Sequence, residues 1–418
     1  MRWSVVYFAG AVKLHLATKN LEEISDSAKI QKMKKIILII LDGLADKPIK
    51  ELGGKTPLEA ADTPNLDWLA SNGTCGSASS FKPKGSMPTS EDSHLAIFGY
   101  SPLKYNFGRG VFETAGIGMS VKPGDVCLRG NFATVDNNGI IIDRRAGRLS
   151  NTRELIKTIS GIKIAGIKFF VASALSYRLG IVMRGKGLSP KISENNHKQI
   201  GVKPLAILPE GKSRRAVFTA QILNQFLEIC HIRLASHPFN EKRKNPANYI
   251  LVRGAGNLRE SLPNFNKKYS LKSCCIAAGT LYKGIAKSLG MDLIEVKGAT
   301  GDSKTNLKGK IAAVKKSLNK YSFIFCHIKA ADILAEDGRF REKKEFIEKV
   351  DKSLKPLLSL KNVAIIVTGD HGTCSKEKRH CEIASPVLVY VSGRNKSLTD
   401  STIKKFSEKN CSLGKMKT

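Results

Sequence analysis

The sequence predicts an α/β protein with a mostly parallel sheet, interrupted by an inserted α/β (α+β) domain. Three observations carry this reading. The run Lys35 to Leu41 is apolar on both faces, as a central parallel strand must be. Strand-then-helix patterns recur late in the chain, and acids follow apolar strands on both sides of a middle stretch of different texture.

Residues 1–32 come first and fit no element of the core. Arg2 and the apolar run Val5 to Val12 are interrupted by Lys13 and His15, and no cleavage signature follows. They are expected to be a disordered or non-native extension, with translation starting at Met33 rather than Met1. The strand Lys35 to Leu41 then presents Asp42 at its carboxyl end, where open α/β sheets bind ligands. Thr63 as N-cap, Pro64 in the first turn and Gly73 as a stop predict a helix with Leu66 and Leu69 on one face. In the middle stretch, short strands over Leu179 to Met183 and Tyr249 to Val252 accompany a helix near Ala216 to Ile229, and Asn257 to Tyr269 reads as a hinge. Tyr321 to Ile328 is a strand leading to Lys329 and Asp332; Glu342 to Leu358 is an amphipathic helix; Val363 to Val367 is a strand ending at Asp370-His371; Pro386 to Val391 is a last strand. The expected division is a discontinuous core of residues 33–121 and 269–395, an inserted domain of residues 122–268, and a basic tail of residues 396–418, frayed from Lys404 to Thr418.

Composition narrows the partners. The net charge of +33 draws anions, but the basic residues are spread along the chain, with lysines on surface helices such as Lys343 to Lys355. No nucleic-acid-binding motif accompanies that charge, so no specific nucleic-acid partner is expected. No stretch approaches the roughly 20 apolar residues of a membrane span, so no membrane partner is expected either. Nine cysteines, an odd number without a C-x-x-C pair, read as neither a disulfide framework nor a zinc site, and a reducing cytoplasm fits them. Cys374 and Cys381, which flank His380, read as packing residues. The Gly-rich segments RGAG, GATG and GKGLSPK lack the spacing of a nucleotide-binding P-loop. Oligomeric state is not specified by any of these features.

Four separated segments place oxygen or imidazole ligands at or just beyond apolar strands. They are Asp42, the group Ser90 to His94, Asp332, and Asp370-His371 with His380 nine residues on. One such aspartate alone is usually a helix cap; together they suit borderline divalent cations, two of which can clamp the oxygens of a phosphoryl transfer.

The strings IILDGLADKPIKELGGKTPLEAADTPNLDWLA, GRGVFETAGIG, RGNFATVD, DRRAGR, RGKGLSPKIS, RGAG, GMDLIEVKGATG and TGDHGT occur in the order seen in archaeal-type, cofactor-independent phosphoglycerate mutases of the alkaline phosphatase superfamily. The chain resembles that family from Met33 to about Gly393. The resemblance implies an alkaline phosphatase-like three-layer core and interconversion of 3-phosphoglycerate and 2-phosphoglycerate through a phosphoserine at Ser90, without 2,3-bisphosphoglycerate. It implies two divalent ions, usually manganese with magnesium or zinc as alternatives, held by Asp42, Ser90, Asp370 and His371 at one site and by Asp332, His380 and one more ligand at the other. Where the family has Asp-x-x-x-His-Asp-Gly, this chain has Asp332 followed by Glu336-Asp337-Gly338, so Glu336 stands for the usual histidine. Ser93 is a rival nucleophile, and the resemblance alone selects Ser90.

A substrate bearing phosphate and carboxylate needs forked cations, and Arg129, Arg144, Arg145, Arg148, Arg178 and Arg253 lie in short motifs of the expected inserted domain. Lys283 and Lys329 are further phosphate-binding candidates. Two family features differ here, a His-Arg pair that reads Tyr177-Arg178 and an Asp-rich segment that reads Ser193-Glu194-Asn195-Asn196-His197. The same residues also admit a phosphatase or phosphotransferase acting on another small phosphorylated alcohol, or a catalytically weakened basic binding protein.

Overall fold

The described residues of the computed structural model are 35–80, 87–196, 199–393, 403–414 and 416–417. The N-terminal extension, the Met33 start and His197 fall outside them. The chain divides into a first unit, residues 35–106, 263–279 and 289–417, and a second, residues 107–262 and 280–288. The expected boundaries at 122 and 268 differ from these, and the crossing at 262–263 lies inside the stretch read as a hinge.

Strands β1 (Ile36–Leu41) and β2 (Thr74–Ala78) begin the first unit. The second unit holds β3 (Val126–Val135), β4 (Ile141–Asp143), β5 (Lys163–Ile164), β6 (Ile167–Ser173), β7 (Arg178–Arg184) and β8 (Tyr249–Asn257). The chain returns to the first unit through β9 (Ser273–Ile276), β10 (Asp292–Leu293), β11 (Phe323–Ile328), β12 (Ala364–Thr368), β13 (Gly372–Cys374), β14 (Arg379–Cys381), β15 (Ser385–Val391) and β16 (Met416–Lys417). The helices used below are α1 (Pro64–Ser71), α2 (Ser90–Ile97), α3 (Arg109–Gly116), α4 (Arg214–Ala235), α5 (Thr280–Ser288), α6 (Ala330–Glu336), α7 (Phe340–Leu354) and α8 (Glu408–Ser412).

In the first unit an eight-stranded sheet runs β10-β9-β11-β1-β12-β15-β2-β16. The block from β10 to β12 is parallel, whereas β15 is antiparallel to both β12 and β2. Its centre is apolar on both faces, because Ile37, Ile39 and Leu41 join one buried cluster with Phe346, Ile347 and Val350 of α7 while Leu38 and Ile40 are buried on the other side. Each such side chain contributes about 1.5–3 kcal/mol by leaving water. Two expectations about this unit are corrected. The tail is not frayed over its described part: Ile403, Phe406 and Cys411 are buried, β16 pairs with β2, and Glu408 accepts from the Asp46 amide at 3.2 Å and the Thr56 hydroxyl at 2.8 Å. Nor is Lys343 a surface lysine, since it is fully buried on the apolar stripe of α7.

In the second unit β4-β3-β7-β6-β5 form a sheet, with β8 on the other edge of β3. The long helix α4 seals one face, and Phe226 stacks on Phe169 with ring centroids 3.9 Å apart. Helix α5, although late in the chain, belongs here because α3 and α5 cross at glycines. A Cβ on Gly284 would lie 1.7 Å from the Phe112 carbonyl oxygen, and one on Gly116 would lie 1.9 Å from that of Thr280. Among the described residues no helix is long and apolar enough to cross a membrane.

Candidate metal centre

Three neighbouring strands, β11, β1 and β12, deliver the predicted ligands to one sheet edge. Asp42 follows β1, Asp370 and His371 follow β12, and β11 runs through Lys329 into α6, whose first turn carries Asp332. Asp42, Asp370 and His371 offer ligand atoms that all lie within 4.8 Å of one another, as do Asp332, His371 and His380. His371 thus faces both groups, although the expectation assigned it to one. Gly43 makes this convergence possible: its φ is +64°, and a Cβ there would lie 2.6 Å from Thr373 Oγ1 and 2.8 Å from the Asp332 Cα.

Ser90 is the first residue of α2, behind the N-cap Thr89, whose side chain accepts from the Asp92 amide at 3.2 Å. The Ser90 hydroxyl lies 3.2 Å from His371 Nε2. Its carbonyl is met at 2.8 Å by His94 Nδ1, so His94 anchors the turn that presents it. Ser93 is equally buried, and its Oγ has no hydrogen-bond partner.

The electrostatics are those of acids crowded out of water. Burial alone would raise the Asp42 carboxyl, yet Lys329 at 3.0 Å, His327 at 3.2 Å and His371 together hold it well below the usual carboxylate range. Asp370 moves the other way, pushed up by burial and by the Asp42 charge. Asp332 is held low against burial, chiefly by Lys329 at 2.9 Å. His380 is raised to about 9, because the hydrogen bond and charge of Asp332 outweigh burial. His327 is lowered to about 3 by burial above all.

The residues fit a divalent cation on two counts. Asp370 Oδ2 is buried without a hydrogen bond, 3.3 Å from His371 Nε2, and such an atom is costly unless a cation or donor meets it. The donor set is carboxylate, hydroxyl and imidazole, which suits magnesium, manganese or zinc. Glu336 stands further off, its carboxylate 4.0 Å from His380 Nε2 and its side chain about half exposed (51%). Lys329, expected to bind phosphate, here spans the carboxylates of Asp42 and Asp332.

Sequence reasoning missed several partners of this centre. Thr373 Oγ1 donates to Asp332 Oδ1 at 2.7 Å and sits 3.3 Å from His371 Nδ1, orienting a residue of each group. Cys374 and Cys381 form a disulfide, contrary to the reading of both as packing residues. The C-x-x-C criterion overlooked them because the hairpin β13–β14, pairing Cys374 with Arg379 and Gly372 with Cys381, folds positions seven apart to a Cα distance of 5.8 Å.

In the second unit the expected arginines separate. Arg129 and Arg253 are opposite each other on β3 and β8, and Arg178 begins the neighbouring β7. Arg109, unremarked in the sequence, joins them around Glu113, which contacts Arg109 at 3.1 Å and Arg129 at 3.3 Å and interacts with Arg253, while Arg178 neighbours Arg129 and Arg253. Burial and the neighbouring guanidiniums push Arg129 down to about 9, with Glu113 as its counter-charge, while Arg129, Arg109 and the Thr280 hydroxyl hold Glu113 at about 2 despite burial. Nε of Arg129, of Arg178 and of Arg253 is buried without a hydrogen bond. Arg144 bonds Asn196 at 3.3 Å, whereas Arg145 and Arg148 are exposed on the turn that follows. Asn195 braces β8 through the Val252 amide and the Ile250 carbonyl. Lys283 lies on α5, in the second unit.

Comparisons with known proteins point one way. Residues 34–417 match the model of the metalloenzyme superfamily. The chain is 42% identical over 381 residues, covering 90% of itself and 92% of the relative, to the 2,3-bisphosphoglycerate-independent phosphoglycerate mutase of Methanococcus aeolicus. It is 41% identical over 392 residues to the Methanocaldococcus jannaschii protein of that name with the suffix 1, covering 92% and 93%. Among solved structures, the PH0037 protein from Pyrococcus horikoshii superposes with a TM-score of 0.76 at 32% identity, covering 91% of this chain and 92% of that one. The cofactor-independent phosphoglycerate mutase from Thermoplasma acidophilum does so with a TM-score of 0.64 at 33% identity, covering 92% and 96%.

Proposed function

The chain belongs to the metalloenzyme superfamily and, within it, to the family of 2,3-bisphosphoglycerate-independent phosphoglycerate mutases, and from that premise we propose that it interconverts 3-phosphoglycerate and 2-phosphoglycerate through a phosphorylated Ser90. The observation that carries the reading is the Ser90 hydroxyl, 3.2 Å from His371 Nε2 beside the buried carboxylates of Asp42 and Asp370.

Asp42, Ser90, Asp370 and His371 would hold one divalent ion, and Asp332, Glu336 and His380 a second, with manganese the ion proposed. Such ions, when bound, neutralise phosphoryl oxygens and lower the pKa of a serine hydroxyl. The chain supplies the rest. Ser90, at the first position of α2, is where backbone amides and the helix dipole favour an anion. Its oxygen takes the phosphoryl group while its proton goes to the oxygen that the group leaves. The retained glycerate then presents its other hydroxyl, and a second transfer regenerates serine. Lys329 offsets the carboxylate charge that would repel an incoming phosphate. Arg129, Arg178 and Arg253, whose Nε atoms make no hydrogen bond, are proposed together with Arg109 to bind the anionic groups of substrate. As a reaction of glycolysis, it is assigned to the cytoplasm.

Turnover with manganese should give isomerised phosphoglycerate with little free phosphate, and a chelator should abolish it until metal is restored. Phosphate released without isomerisation would refute the mutase assignment. The arginine cluster has its own check in steady-state kinetics: Arg253→Met should raise KM for phosphoglycerate roughly 10- to 100-fold, the value of a charge-assisted hydrogen bond. An unchanged KM would remove Arg253 from substrate binding.

A further inference from the structure

We infer that the Cys374–Cys381 disulfide is a positioning bond for His380, so that its oxidation state sets the affinity of the second metal site; this rests on the two-metal reading above. His371 and His380 are the imidazoles of the two candidate ligand groups, their rings stacked with centroids 3.8 Å apart, but they are held in different ways. His371 follows directly from β12 of the central sheet. The strand after it, β13, is tied to the core by the Thr373 amide on the Ala45 carbonyl at 2.9 Å, by Lys343 on the Thr373 carbonyl at 3.1 Å, and by the Ser375 amide on Asp46 at 3.1 Å. His380 is on β14, whose only strand partner among the described residues is β13, over three residues a side. So short a two-stranded ladder is marginal by itself. Three further restraints hold His380: its Nδ1 lies 2.9 Å from the Pro88 carbonyl, its Nε2 lies 3.5 Å from Asp332 Oδ1, and the adjacent Cys381 is covalently joined to anchored β13. The bond therefore transfers the rigidity of β13 to the strand that carries a ligand.

A dithiol reverses this. Its thiolate attacks one sulfur of the pair, breaking the S–S bond and forming a mixed disulfide. Its second thiol then displaces the remaining cysteine, so two electrons and two protons pass to Cys374 and Cys381 and the reagent leaves as its own disulfide. With the bond open, β14 keeps its short ladder and His380 keeps only its non-covalent contacts with Pro88 and Asp332, so the orientation of His380 loosens while Asp42, Asp370 and His371 keep their supports.

The test is a manganese titration of the full chain, following free metal by electron paramagnetic resonance, in protein isolated without reductant, after dithiothreitol, and after reoxidation with oxidised glutathione. The isolated protein should show the seven free thiols of the structure in denaturant and bind two ions. Reduction should weaken the second ion about 10-fold or more, the scale of losing an orienting partner, leave the first unchanged, and be reversed by reoxidation. The Cys374→Ser/Cys381→Ser variant should behave as the reduced protein does. Equal binding of both ions in oxidised and reduced protein, or nine thiols in the isolated protein, overturns the inference alone. Oxidised protein that binds one ion or none overturns the two-metal reading as well.

Discussion

Ser90→Ala is expected to lower mutase turnover by roughly 10⁴-fold or more, the scale on which removing a nucleophile leaves only binding and electrostatic stabilisation. The fold should survive. The cap of α2 belongs to Thr89 and Asp92, and His94 bonds the Ser90 carbonyl rather than its hydroxyl, so removing the Oγ disturbs no support of the helix. Only the approach to His371 is lost. Ser93→Ala is the matched control, because the Ser93 hydroxyl is buried within the same helix and touches no hydrogen-bonding group; its effect should stay under about 10-fold. Rapid quenching of wild-type protein with labelled phosphoglycerate should place the label on the peptide containing Ser90. If Ser90→Ala kept a tenth of wild-type turnover, or if Ser93→Ala were the inactive variant, the assignment of the nucleophile would be wrong.

How much of this centre was legible in the sequence depends on where each residue's signal lies. Asp42, Asp332, Asp370 and His371 were readable because each comes at or just after an apolar run that can only be a central strand, and neighbouring parallel strands end on the same side of their sheet. Ser90 had no such signal. Its segment is rich in hydroxyls and acids, and nothing local separates it from Ser93; the contact that distinguishes Ser90 is with His371, 281 positions away. Thr373 and His327 act across strands, and pairing between distant segments is not written in either segment alone. The disulfide was hidden by a spacing rule, although a cysteine on each side of a short polar turn is a hairpin signal. Lys343 and Arg109 could have been found. Lys343 falls in register with Phe346, Ile347, Val350 and Leu354 on the apolar stripe of α7, which is where a lysine on an amphipathic helix ceases to be a surface residue. Arg109 precedes Glu113 by one helical turn, the spacing of an ion pair.

That buried lysine gives the largest expected effect on stability. Lys343 has no exposed side-chain surface; its Nζ donates to Asp46 at 3.0 Å, to the Thr373 carbonyl at 3.1 Å and to the Ala45 carbonyl at 3.5 Å. Asp46 is as deeply buried and also accepts from the Ser375 amide and hydroxyl. Attraction between two buried charges only roughly repays their desolvation, so the pair as such adds little; removing one partner is different, because the other charge stays in a medium that cannot solvate it. Lys343→Ala should therefore destabilise the first unit by about 3–5 kcal/mol. Lys343→Met, which keeps most of the stem volume, should recover the packing part of that loss and leave the cost of the lone Asp46 carboxylate. Because the lysine also holds the Thr373 carbonyl, and Thr373 orients Asp332 and His371, manganese affinity should fall in both variants. Urea denaturation followed by a probe in the first unit measures the first effect and metal titration the second. A loss below about 1 kcal/mol in Lys343→Ala, the range of an exposed pair, would mean that water reaches Asp46 and that the interior of this hairpin is open to solvent.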